Sequence, residues 1–214
     1  SAASDVYKRQ ASNSVFGGGG GVANYIASSF ISDCIFTRNT AVLGGGAMYN
    51  ELDAGFGAVF VTHCRFEGNH AMDGGGIHSF RSSPTIVNST FVGNTTEEGE
   101  WEGRGGALFN HFISDVTLVN CTLVANDAGI GPAIHGSDRS EAHVVNSIIW
   151  DEAAGPALVT GDFVTMSWTM MRDAYPGTEI TVGTPFFKTN PSPGGDGVWG
   201  TEDDDYGDLR LSEE

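Results

Sequence analysis

The chain is short of basic residues, cysteine and proline, and it has no long apolar run. Only 10 Lys and Arg stand against 27 Asp and Glu among 214 residues, a formal net charge of −17. A surface of that sign repels a phosphate backbone and anionic lipid, which argues against nucleic acid as a partner. Three cysteines, an odd count with no CxxC pair, give neither a disulfide framework nor a zinc site. No stretch approaches the roughly 18 apolar residues of a membrane-spanning helix. No basic start followed by an apolar segment reads as a signal peptide. Hydrophobic residues nevertheless make up 40% of the chain, enough to bury a core, so disorder is excluded as well. Glycine is what abounds: 31 residues, twice the usual share of about 7%.

The opening decapeptide SAASDVYKRQ shares nothing with the pattern that follows. It looks like translated sequencing-adaptor read-through, so residues 1–10 are expected to be a non-native tail. The chain reads as a fragment cut at both ends, with any export signal lying upstream. From residue 11 onward it repeats itself. Five clear copies of one signature are Phe30 to Asn39, Phe60 to Asn69, Thr85 to Asn94, Thr117 to Asn126 and His143 to Ile149. A faded sixth runs from Phe163 to Thr169. Anchored on Cys34, Cys64, Ser89, Cys121, Ser147 and Ser167, the spacings are 30, 25, 32, 26 and 20 residues. Between anchors a glycine signature recurs: Gly45-Gly46-Ala47-Met48, Gly75-Gly76-Ile77-His78, Gly105-Gly106-Ala107-Leu108, Gly131-Pro132-Ala133-Ile134 and Gly155-Pro156-Ala157-Leu158. An earlier copy is expected at Gly20-Gly21-Val22-Ala23.

Periods of this length mean a solenoid, a propeller or a helical array. The segments are short, rich in Val, Ile, Thr and Phe, and bounded by Gly and Asn, so they are strands. A propeller blade needs four strands in about 40 residues, and a 20-residue step cannot hold them. An all-β parallel solenoid can, because long coils merely extend a surface loop. The aliphatic position three before the anchor and the anchor itself differ in parity. Both can face inward only if the chain turns between them. Asp33, His63, Asn88, Asn120 and Asn146 stand at that point, and Asn and Asp tolerate the left-handed conformation a corner needs. Stacked coils would align these residues, and Asn39, Asn69, Asn94 and Asn126, into amide ladders. About seven coils at ~4.8 Å give a rod roughly 34 Å long. The coils are expected over residues 11–183, with residues 184–214 forming a C-terminal acidic loop or edge.

The alternation of Gly45-Gly46-Ala47-Met48 with Phe36-Thr37-Arg38-Asn39, and of Phe66-Glu67-Gly68-Asn69 with Gly75-Gly76-Ile77-His78, resembles the right-handed β-helix proteins of bacterial surfaces. Chlamydial polymorphic outer-membrane proteins carry the same repeats. The tail, Thr184 to Lys188 and Gly195 to Leu211, looks like the end of a β-helix domain in large secreted proteins of environmental bacteria. The resemblance implies a right-handed single-stranded parallel β-helix and a secreted or cell-surface location. It specifies fold far better than activity, since the same coil carries adhesins, passengers and polysaccharide-degrading enzymes.

Candidate chemistry is sparse. Cys34, Cys64 and Cys121 share a position with Ser89 and Ser147 and are expected to form an inward ladder of small residues. His63 and His143 read as structural replacements, while His70 and His78 flank a loop containing Asp73 that could assemble a metal or acid–base cluster. No column of Asp or Glu runs beside the arginines. The loop Glu97-Glu98-Gly99-Glu100-Trp101-Glu102 combines carboxylates with a sugar-stacking aromatic and accounts for the 32-residue step. Asp196, Asp203, Asp204, Asp205 and Asp208, in a glycine-containing loop around Trp199, offer clustered oxygen ligands of the kind calcium takes, though not at EF-hand spacing. The triplets at Asn88, Asn94 and Asn120 match a glycosylation sequon but follow from the repeat itself. The expected function is a non-catalytic structural or adhesive module presenting loops to polysaccharide or to a surface protein. The alternative is a polysaccharide lyase or glycoside hydrolase of the pectate-lyase-like class, whose carboxylates and Arg would converge in one groove.

Overall fold

The computed structural model describes residues 8–51, 58–97, 102–151, 157–161 and 163–212. They form a right-handed parallel β-solenoid of about six turns, with no helix among the described residues. One coil can be followed from Ser29–Ser32 through the corner at Asp33 to Cys34–Thr37. It then passes Arg38 and Asn39 to Thr40–Gly44, and turns at Gly45 into Met48–Glu51. The next coil repeats these segments one strand spacing away, giving four parallel sheets, three of which run most of the stack while the one holding Thr40–Gly44 has four strands. We call them the aliphatic sheet (holding Ser29–Ser32), the phenylalanine sheet (Cys34–Thr37), the short sheet (Thr40–Gly44) and the glycine-led sheet (Met48–Glu51). The aliphatic and glycine-led sheets have six strands each. The phenylalanine sheet has eight, because partial coils extend it at both ends. Its first strand is Lys8–Ala11, paired with Cys34–Thr37, so Lys8, Arg9 and Gln10 of the segment set apart by composition join the stack.

The corner behaves as its residue types require. Asp33, His63, Asn88, Asn120 and Asn146 all have φ between 48° and 55°, which turns the strand and lets residues of opposite parity face one interior. Val61, Ile86, Leu118 and Val144 fill one column there, and Phe36, Phe66 and Phe91 another. The three rings stack face to face with centroids 5.0 and 4.5 Å apart, an arrangement worth ~0.5–1.5 kcal/mol per pair beyond the area it buries. Cys34, Cys64 and Cys121 are buried free thiols in the small-residue column. The Cys64 and Cys121 backbone N–H groups donate to Ser89 Oγ and Ser147 Oγ of the next coil. Burial pushes the Cys64 thiol up to about 12 and that of Cys121 to about 11, so both stay protonated and unreactive.

Two register assignments differ from the sequence alignment. In the sixth copy Val144 pairs with Met166 and Ile149 with Met171, so the small-residue position falls on buried Thr169, not Ser167. Trp168 takes the corner, at φ 54°. The glycine signature shifts by one residue in three copies. Met48 pairs with Val22 and Ile77, and Ile134 with Val159, which aligns Gly45 with Gly19 and Gly74 rather than with Gly20 and Gly75. Gly19, Gly45, Gly74, Gly105 and Gly131 have φ between 56° and 76°, and a Cβ at Gly45 would lie 2.1 Å from the Met48 carbonyl oxygen. Gly155 and Pro156 lie outside the described residues.

The C-terminal segment lies along the flank of the stack. Phe187–Thr189 and Asp208–Leu211 pair antiparallel. Phe187, Trp199, Tyr206 and Leu209 cover the outward side chains of Val92, Val124, Ile148 and Trp150. Tyr206 and Trp199 sit on Gly68 and Gly93, where a Cβ would come within 2.3 Å of the Tyr206 hydroxyl and of the Trp199 ring.

Candidate functional site

A groove of about 570 Å³ opens where the C-terminal strand crosses the phenylalanine sheet. Arg65, Thr90 and Thr122 form its floor, in direct register on three successive coils. The corner residues His63 and Asn88 border it, and Asp208 and Arg210 supply the facing wall. The side chains alternate outward from the strands because Phe66, Phe91 and Leu123 between them point into the core. His63 Nε2 and Asn88 Nδ2 lie 3.2 Å apart, and His63 Nδ1 is 2.9 Å from Thr62 Oγ1.

The carboxylate that lines this groove, Asp208, and the one beside it, Glu67, are both ion-paired. Asp208 accepts from Arg210 Nε at 2.9 Å, a contact that holds its carboxyl down at about 2. Glu67, buried beside the floor, is raised by desolvation and pulled back by its ion pair with Arg65. Glycoside hydrolysis by a carboxylate pair needs both groups free to exchange protons or attack, and these two are held by neighbouring guanidinium groups. The groove also presents the His63 imidazole, the Asn88 amide, the Thr90 and Thr122 hydroxyls and the Arg65 guanidinium, on coils one strand spacing apart.

Other sequence-marked residues fall elsewhere. His70, Asp73 and His78 do not assemble. His70 contacts Thr95 Oγ1 at 2.9 Å and Glu97 at 3.5 Å. Asp73 takes a bidentate contact from Arg104 of the neighbouring coil, at 2.9 and 2.7 Å. It is a single pair between two coils rather than a column of carboxylates running beside the arginines. The two residues face each other in an isolated parallel bridge, and Arg104 also lies 4.6 Å over the Phe109 ring. His78 is buried against Tyr49 and Phe109, with neither ring nitrogen hydrogen-bonded. Desolvation, together with the positive charge of Arg104 and the neighbouring His111, lowers it to about 3.

The carboxylates of the C-terminal segment are turned to different partners, even those of the consecutive Asp203, Asp204 and Asp205. Asp203 accepts from the Gly195 N–H, and Asp204 from the N–H groups of Gly200 and Thr201 and from the Tyr206 hydroxyl. Asp196 and Asp205 bond to the backbone two residues on. Among the described residues the grouping with ligand atoms all within 4.8 Å is instead Asp115, Glu141 and His143, on the outer face of the aliphatic sheet. His143 Nε2 is 3.1 Å from Asp115 and 3.5 Å from Glu141, with Nδ1 on Thr165. This donor set suits a borderline divalent cation, and it serves equally as a small ion-paired cluster on an exposed face. Of the sequon asparagines, Asn94 is fully buried in the ladder, while Asn88 and Asn120 bond to each other at the exposed corner. Glu98, Gly99, Glu100 and Trp101 lie outside the described residues.

The groove was missed in the sequence because its wall is far from its floor along the chain. One signal was present: Phe91-Val92, Leu123-Val124 and Ile149-Trp150 are apolar on both faces of a strand, which marks a sheet covered on both sides. Searches among curated proteins and among solved structures return no match. The family model described as "Right handed beta helix region" matches residues 11–167. With its coils, corners and columns in that arrangement, the chain belongs to the right-handed β-helix family.

Proposed function

We infer that the chain is a non-catalytic binding module of a secreted or cell-surface protein, and that it holds a glycan along the groove between the phenylalanine sheet and the C-terminal strand. The observation that carries this reading is the closure of Asp208 and Glu67 into ion pairs with Arg210 and Arg65. A glycosidase working through these two carboxylates needs them free, whereas a binding groove needs only directional donors and acceptors at a regular spacing. Arg65, Thr90 and Thr122 supply that spacing, and the unbroken ladders beneath keep it rigid, which lowers the ordering cost of binding.

The test is titration of the chain with neutral and with uronic-acid polysaccharides, followed by assay for new reducing or unsaturated ends. Saturable binding without new ends is expected, with Arg65→Ala weakening it about tenfold, the loss of one charged hydrogen bond. Release of ends would replace this reading with the lyase or hydrolase one. Binding unaffected by Arg65→Ala would move the contact away from the groove.

A further inference from the structure

Inside the glycine-led sheet a second polar column runs along the axis. Asn24, Asn50, Ser79, Asn110 and Gly136 occupy one register position on five successive coils. Asn50, Ser79 and Asn110 are fully buried. The column starts as an amide ladder, with Asn24 Nδ2 donating to Asn50 Oδ1 at 2.7 Å. At the third coil the amide gives way to the shorter serine, and at the fifth to glycine. There the pairing stops: Asn50 Nδ2, Ser79 Oγ and both amide atoms of Asn110 are shielded from solvent and bond to no protein atom.

These four atoms are not scattered over the core; each belongs to the shortened residue or to a neighbour directly above or below it. If the polarity of the Asn24 to Asn50 bond carries along the column, Asn50 Nδ2 is turned toward Ser79, Asn110 Oδ1 toward Ser79 from the other side, and Asn110 Nδ2 toward Gly136. Asn50 and Asn110 are two strand spacings apart, about 9.5 Å between backbones, too far for their amides to meet. Gly136 leaves room where other interior glycines do not. A Cβ there would meet nothing nearer than the Ser140 carbonyl oxygen at 3.5 Å, while one at Gly46 would lie 2.2 Å from the Gly75 oxygen. Buried polar groups in native proteins are satisfied by protein or by ordered solvent. A site for interior solvent needs two to four polar partners and space for one probe sphere.

We propose that the coil binds two ordered water molecules, one bridging Asn50, Ser79 and Asn110, the other bridging Asn110 and the Ser140 carbonyl above Gly136. Water fits both places because each demands a donor and an acceptor at once. The first site must accept from Asn50 and donate to Asn110; the second must accept from Asn110 and donate to a carbonyl. The two waters turn an interrupted amide column into a continuous hydrogen-bonded one.

Magnetic relaxation dispersion of labelled water counts long-lived internal waters and tests this directly. Ser79→Asn restores the amide and is expected to remove one such water, raising the unfolding midpoint by about 2–4 °C. Gly136→Ser puts a hydroxyl in the second site and is expected to remove another, with the double variant losing two. Counts unchanged in both variants would overturn the proposal. Should a variant not fold, a crystal structure of the unaltered chain decides: solvent peaks within hydrogen-bonding distance of the Asn110 amide uphold it, and an amide bonded only to protein overturns it.

Discussion

Two asparagine ladders climb this coil in different surroundings. Asn39, Asn69, Asn94 and Asn126 form the inner one, joined by Nδ2 to Oδ1 contacts of 2.8–3.0 Å. Asn13, unmarked in the sequence, extends it by one further bond of 2.8 Å. Each inner amide also bonds backbone groups: Asn94 Nδ2 donates to the Phe66 carbonyl, and its Oδ1 accepts from the Asn69 N–H. The outer ladder, Asn88, Asn120 and Asn146, has the same residue and the same spacing but lies in solvent, with bonds of 3.0 and 2.7 Å. The inner residues are selected for the hydrogen bonds they complete in a dry interior. The outer ones are selected for the backbone conformation they accept, φ 49°, 55° and 48°.

The largest effect should come from the inner ladder. Asn94→Ala strips partners from the Phe66 carbonyl, the Asn69 N–H and two neighbouring amides, all buried. A loss of about 3–5 kcal/mol is expected, read as a shifted chemical denaturation midpoint. A cost below 1 kcal/mol would erase the distinction between the ladders.

A buried ring shows the opposite condition, a polar group left without partners. His78 has its folded value near 3 against 6.5 for the free side chain. The folded state therefore binds the proton less readily than the unfolded one. Stability is complete above pH 6.5 and declines as the pH falls from there toward 3, by about 1.4 kcal/mol per unit. His78→Phe removes both nitrogens and keeps a ring between Tyr49 and Phe109. Its stability relative to the unaltered chain should rise as the pH falls below 6.5, with urea denaturation at pH 7 and pH 5 as the measurement. A difference that stays flat would mean that the ring is hydrated in the fold.

The smallest effect belongs to the outer ladder. Asn120→Ala loses screened bonds and places alanine in a left-handed corner, at a cost of about 1–2 kcal/mol. Asn120→Gly should recover most of this, because the backbone conformation and not the amide is what the corner needs. Failure of glycine to recover stability would assign the outer residues the same role as the inner.

The corners and columns were legible because parity and stacking leave few alternatives. An aliphatic residue and a small one at odd separation can share an interior only through a turn, and Asn or Asp marks the place. Register was less legible wherever residue type did not break a tie. The runs Gly19-Gly20-Gly21 and Gly74-Gly75-Gly76 allow two alignments, and only the one with positive φ at the first glycine fits the coil. In the sixth copy Ser167 and Thr169 are both small enough for the anchor, and the tie is broken only by Trp168, an unusual corner residue. The Asp73–Arg104 pair depends on an isolated bridge, and the groove on an arm roughly 85–145 residues from its floor; repeat counting reports neither.

The seat of that arm has a consequence for assembly of the molecule. Arg38, Gly68, Gly93 and Ala125 are the positive-φ residues preceding the inner asparagines, and only the middle two lack a side chain. Trp199 and Tyr206 need two bare positions on adjacent coils, as a key needs adjacent notches. The stack thus has a single axial address at which its own tail can lock, although its coils are otherwise near-copies of one another.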